Sequence, residues 1–129
     1  MQIKHIAIWT KQLERMKEFY VKYFQASAGD KYQNPTKQFE SYFLSFSFGA
    51  SLELMSQTGI TERSRPIDEQ VTGYAHVAFA CGAEKNVDEL TERMRSNGCR
   101  IVDGPRHTGD GYYESVVLDP DGNRIEITI

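Results

Sequence analysis

The sequence predicts an α+β protein made of two βαβββ modules that form a curved mixed sheet with helices on its outer face. Three observations carry this. Residues 3–9 and 74–81 both alternate apolar and other residues with period two, and each run is followed by a stretch with helical spacing. Each half then closes on a glutamate-bearing strand: Glu53 follows His5 by 48 residues (53 − 5), and Glu126 follows His76 by 50 (126 − 76). Between the halves lies a polar segment with Pro66 and two glycines, Gly59 and Gly73. These boundaries give one domain over residues 1–129, with module one at about 1–56, a linker at 57–73 and module two at 74–129. A repeat that occurs only twice indicates a duplicated unit and not a solenoid.

The elements follow in order. After the first strand, Thr10 reads as a helix N-cap. Residues 11–24 carry Leu13, Met16, Tyr20, Tyr23 and Phe24 at helical spacing, which places those aromatic residues in the core. Gly29, Asp30, Asn34 and Pro35 mark a loop. Residues 39–48 and 51–55 read as strands joined by a tight turn. In the second half, residues 84–97 place Val87, Leu90 and Met94 on one helix face, and Gly98 stops the helix. A short strand near 99–103 precedes the loop GPRHTGDG, 104–111, and there Arg106 and His107 read as solvated. Strand 112–118, the turn DPDG at 119–122 and a last strand complete the chain.

Composition narrows the function classes. The 129 residues are 40% hydrophobic, enough for a core, and the formal net charge is -3 with no basic stripe. No nucleic-acid partner is expected. No apolar run is long enough for a membrane span or a signal peptide, so no membrane partner and a cytoplasmic location are the expectation. Cys81 and Cys99 form no CxxC pair and read as small buried hydrophobes.

Strand parity then picks out four ionisable residues. Glu53 lies between Leu52 and Leu54, and Glu126 between Ile125 and Ile127. The apolar neighbours belong to the face that packs on the helices. His5, Glu53, His76 and Glu126 therefore occupy the opposite, inner face, with small companions such as Ala7, Ser51 and Ala78. A single strand histidine or glutamate is usually just half-exposed. Four in matched positions of matched halves instead make a set of nitrogen and oxygen donors suited to a divalent first-row ion.

HIAI with its helix, LELM, HVAF and the terminal LDPDGNRIEI together resemble the vicinal oxygen chelate superfamily, which includes glyoxalase I, extradiol dioxygenases, fosfomycin-resistance and bleomycin-resistance proteins and methylmalonyl-CoA epimerase. The resemblance covers nearly the whole chain. It implies a homodimer and a metal-dependent lyase or isomerase of glyoxalase type, because the ligand set of glyoxalase I matches His5, Glu53, His76 and Glu126. It implies a zinc, nickel, manganese, cobalt or iron ion. The implied substrate is a small oxygenated molecule, a thiol hemithioacetal being one such, which loses a proton to give a metal-bound enediolate. Glu126 is the implied main base, and Glu53 a ligand and catalytic partner. The alternatives are a metal-free binding or resistance protein, an epimerase, and an iron-dependent dioxygenase.

The resemblance breaks at the thiol. Glutathione-dependent members have arginine four residues after the first histidine, where this chain has Trp9; an asparagine is common where it has Gln57, and the inter-module loop differs, carrying Arg63 and Arg65. Trp9 is instead a candidate wall of the substrate pocket. Alternate residues before DPDG turn inward in the family, which makes Tyr112 and Glu114 substrate-binding candidates, with Val116 on the same face.

Overall fold

Alternation in the strands and 3.6-residue spacing in the helices sort each module into one helix on one side of one mixed sheet. The computed structural model describes residues 1–62, 66–67 and 69–129, so Arg63 and Arg65 lie outside the described residues. The chain divides into two compact units, Met1–Ser64 and Arg65–Ile129.

The first unit runs β1 (His5–Trp9), α1 (Leu13–Phe24), β2 (Ser27–Ala28), β3 (Tyr32–Asn34), β4 (Phe39–Ser45) and β5 (Ser51–Gln57). Its sheet has the order β1-β5-β4-β2, with β3 also paired to β4. β1 and β5 are parallel and the other pairs antiparallel. Leu44, Leu52 and Leu54 turn to the helix side and are almost fully buried, as are Met16 and Tyr20 of α1. Burial of each such side chain stabilises the unit by about 1.5–3 kcal/mol.

The second unit runs β6 (His76–Ala80), α2 (Glu84–Ser96), β7 (Ile101–His107), β8 (Tyr113–Leu118) and β9 (Arg124–Thr128), in the sheet order β6-β9-β8-β7. Again the first and last strands pair in parallel. Val87 and Met94 of α2 pack with Val117, Ile125 and Ile127, all essentially buried. Gly98 ends α2 as expected. Its own N–H donates to Arg95 O at 3.0 Å and Cys99 N–H donates to Met94 O at 3.0 Å, the paired bonds of a Schellman motif around a glycine at φ 80°. The turn after β8 is built on Asp119, whose side chain accepts from the backbone N–H groups of Asp121 (2.9 Å) and Asn123 (2.8 Å).

Several local expectations are corrected. Thr10 does not cap α1. The helix begins at Leu13 after Gln12, and Thr10, two residues before the cap position, accepts through Oγ1 from Gln12 N–H at 3.0 Å in a side-chain turn that leads into the helix. The loop around residues 29–35 contains β3, and β2 precedes it. Both strands are too short for periodicity to reveal. β4 stops at Ser45, and β5 continues to Gln57, into the expected linker. In α2, Thr91 is fully buried and shares the core face with Val87 and Met94, while Leu90 is only half-buried. Its hydroxyl donates back to Val87 O at 2.6 Å and meets Ser115 Oγ at 2.6 Å, so a polar pair is satisfied inside the core.

The largest correction concerns residues 104–107, expected in a loop and found in β7. Register shifts on either side of Asp103 absorb the irregularity, and proline is accepted because β7 is an edge strand. Arg106 and His107 are therefore strand residues, paired with Glu114 and Tyr113.

On the helix face of the first unit, Glu14 accepts from Tyr42 Oη at 3.0 Å and pairs with Lys17 and with Lys31 at 3.1 Å. Hydrogen bonds from Lys17, then Lys31, bring its pKa down to about 2. A carboxyl depressed in the fold contributes stability above its unfolded value near 4.5, lost as the pH falls toward 2. The side chain is 52% exposed, so solvent screens the network. Replacing Glu14 with Gln is expected to cost less than about 1 kcal/mol at pH 7, and only a small part of that at pH 2, in urea titrations at the two pH values.

Candidate metal and ligand site

The strand registers give the duplication its chemistry. In the first sheet His5 stands opposite Ser51 and Ala7 opposite Glu53; in the second His76 stands opposite Arg124 and Ala78 opposite Glu126. In both, the glutamate lies two residues beyond the partner of the histidine, on the same face, with an alanine directly across. The small alanine leaves the glutamate side chain free to turn toward the histidine. His5 Nε2 lies 3.6 Å from Glu53 Oε2, and His76 Nε2 lies 3.3 Å from Glu126 Oε2. The histidines are 42% and 45% exposed and the glutamates only 15% and 18%, so each carboxylate sits deeper, behind its imidazole.

These spacings bear on a metal. Two donors each about 2.0–2.2 Å from one ion lie roughly 3–3.5 Å apart at tetrahedral or octahedral angles. Both His–Glu pairs fall at or near that range, and their donor types suit zinc or another divalent first-row ion. The structure brings together His5 with Glu53 and His76 with Glu126. Among the described residues it shows no group of three or more histidine, cysteine, aspartate or glutamate side chains arranged to hold a metal ion. Each pair thus offers two donors on its own sheet.

The surroundings of the two pairs differ. Beside Glu53 stands Phe43, its cross-strand partner, whose ring meets His5 edge-on at 5.4 Å. Phe43 escapes a reading by alternation because residues 39–48 place aromatic side chains on both faces. Trp9 is on the same face, 48% exposed, and meets Phe39 edge-on at 6.0 Å. Phe39 in turn lines a cavity of about 760 Å³ at the end of β4 and β5, together with Lys11, Gln38 and Gln57.

Beside Glu126 stand Val116, its partner on β8, and Glu114, opposite Thr128 on the same face. Glu114 is only 14% exposed, and Arg106 Nη2 approaches it at 3.8 Å while Arg106 Nε donates to Asp103 at 2.7 Å. Burial, then the negative charge of Glu126, pushes the Glu114 carboxyl up, and Arg106 acts against them. Tyr112, expected to begin this strand, lies in the β7–β8 turn and is 52% exposed; its carbonyl accepts from Thr108 N–H at 2.8 Å. His107 turns the other way, its ring 4.8 Å from that of Tyr113.

The model of the Glyoxalase/Bleomycin resistance protein/Dioxygenase superfamily matches residues 2–127. The chain belongs to this superfamily. Among solved structures, this superfamily member is similar to a trypanothione-dependent glyoxalase I of Leishmania major, with 25% identity and a TM-score of 0.77 over 99% of this chain and 86% of that one. It is similar also to a possible glyoxalase from Bacillus cereus, with 25% identity and a TM-score of 0.73 over 100% and 99% of the two chains. Glyoxalase I from Zea mays shares the fold at 24% identity and a TM-score of 0.80, over 98% of this chain and 44% of that one. An uncharacterized protein of Bacillus subtilis strain 168, YqjT, is 34% identical over 58 residues, 43% of this chain and 45% of that protein. The chain thus matches under half the length of that curated relative. No helix among the described residues is long and apolar enough to cross a membrane.

Proposed function

We propose that this superfamily member binds a small oxygenated molecule at its two His–Glu faces, and that a divalent ion held by His5, Glu53, His76 and Glu126 makes it a lyase or isomerase of glyoxalase type. The register-matched pairs carry this reading: duplicated strands place the same two donors at the same positions. When bound, such an ion supplies Lewis-acid polarisation of a substrate oxygen.

The chain's own residues do the rest. Glu126 Oε takes the proton from the carbon beside that oxygen, since its neighbour Glu114 makes this the half with a second carboxyl close by. Glu53, flanked by Phe43 and Ala7, serves as a ligand and catalytic partner. Trp9 walls the substrate from water, and Glu114 touches the substrate on the face of Glu126. A homodimer completes the proposal.

One observation favours a metal-free binding protein as the second reading. Each histidine already lies 3.3–3.6 Å from its glutamate, an approach that direct polar contact without a metal also explains. Elemental analysis and calorimetric titration with zinc, nickel, manganese, cobalt and ferrous ions separate the two. The enzyme reading expects one ion per four-donor set, lost when His5 and His76 become Ala. A protein that takes up none of these ions leaves the metal-free binder. Sedimentation of the same sample reads the homodimer directly, and a monomer mass removes it.

A further inference from the structure

The two faces are alike in their His–Glu pairs and unlike in charge. Across from His5 stands Ser51; across from His76 stands Arg124. Arg124 also lies two residues before Glu126, so its side chain shares the inner face with His76 and Glu126. In the strand register it sits between His76 on one side and the buried Leu118 on the other, and it is half-buried itself.

Its cation is uncommitted. Glu126 is taken up by His76, and Glu114 by Arg106. Arg106, the other guanidinium on this face, is held by Asp103 through Nε and lies against Glu114 through Nη2. The backbone of Arg124 belongs to the ladder of β9, and its side chain makes no hydrogen bond, ion pair or ring contact among the described residues. A guanidinium without an anion presents a planar fork of donors that fits a carboxylate bidentately. It does so one strand spacing, about 4.8 Å, from the backbone of His76.

We infer that Arg124 is a specificity residue that clamps a carboxylate of the substrate, so the ligand of this site is a small carboxylic acid bearing a neighbouring oxygen, of the 2-hydroxy or 2-oxo acid class. This rests on the site assignment proposed above. The carboxylate lies along Arg124, and the neighbouring oxygen then reaches the side where His76 and Glu126 meet. The first half, with Ser51 at the matching position, offers no such clamp.

The test is calorimetric titration of the full chain, zinc-loaded and metal-free, with mandelate and with mandelamide, which differ only in the charged group. Wild type is expected to favour mandelate by at least about tenfold. Arg124→Met is expected to abolish the preference, and Arg124→Lys to restore part of it, because a lysine supplies charge without the fork. Thermal melts check that both variants are folded. Equal binding of the two probes by wild type, binding of neither, or a preference unchanged in Arg124→Met overturns the inference. Zinc content of the same samples keeps the two questions apart. Zinc uptake without a carboxylate preference defeats only the clamp; a preference without zinc uptake defeats only the metal reading.

Discussion

Glu126→Gln is expected to lower turnover by roughly 10²–10⁴-fold, the contribution of a positioned general base. The substitution keeps the size and one oxygen of the side chain and removes its ability to accept a proton at neutral pH. On the proposed mechanism the same change at Glu53 costs much less in kcat, because Phe43 and Ala7 flank it and, among the described residues, no second carboxyl of its own sheet face stands beside it. Glu126 has Glu114 on its face, with Arg106 3.8 Å from that carboxyl. The experiment follows exchange of the substrate's acidic C–H in deuterium oxide, by proton NMR, for mandelate and for hemithioacetals of 2-oxoaldehydes with small thiols. Metal content and thermal stability are measured alongside. A Glu126→Gln protein that holds its metal and still exchanges at the wild-type rate removes Glu126 as the base.

Much of this arrangement is legible in the sequence, for a physical reason. In a half-buried strand, parity alone assigns each residue to a face, so Leu52 and Leu54 fix where Glu53 points, and Ile125 and Ile127 do the same for Glu126. The duplication then supplies the pairing. The illegible parts are those that long-range contacts decide. β2 has two residues and β3 three, and both exist only because β4 offers them hydrogen-bonding partners. Thr91 looks like an exposed polar residue until Ser115, 24 residues away, brings a hydroxyl to it in the core. Tyr112 continues the alternation of its strand in sequence, yet the Thr108 turn takes it out of the ladder. Glycine beside proline at 104–105 reads as a loop, because the sequence does not show that the edge of a sheet lies there to receive it.

That last segment gives the largest effect on stability. Gly104→Ala is expected to cost about 2–5 kcal/mol, from left-handed strain of about 1–2 kcal/mol and overpacking of about 1–3 kcal/mol. Gly104 has φ 76°, and a Cβ there would lie 2.5 Å from Glu114 O and 2.9 Å from Ser115 Cα. Both are backbone atoms of β8, so no side chain can move aside; β7 and β8 must separate instead. Gly98→Ala is the internal control. Gly98 has nearly the same φ, 80°, but nothing within 4 Å of the added carbon, so only the strain of about 1–2 kcal/mol applies. Urea unfolding of the two variants separates contact from strain, and a Gly104→Ala protein no less stable than Gly98→Ala defeats the argument. The consequence extends to the site, because the same close approach of β7 to β8 sets Arg106 against Glu114. A chain that keeps glycine at 104 keeps the carboxyl beside Glu126 anchored, and Gly104→Ala is therefore expected to weaken proton exchange under conditions where the protein is still folded.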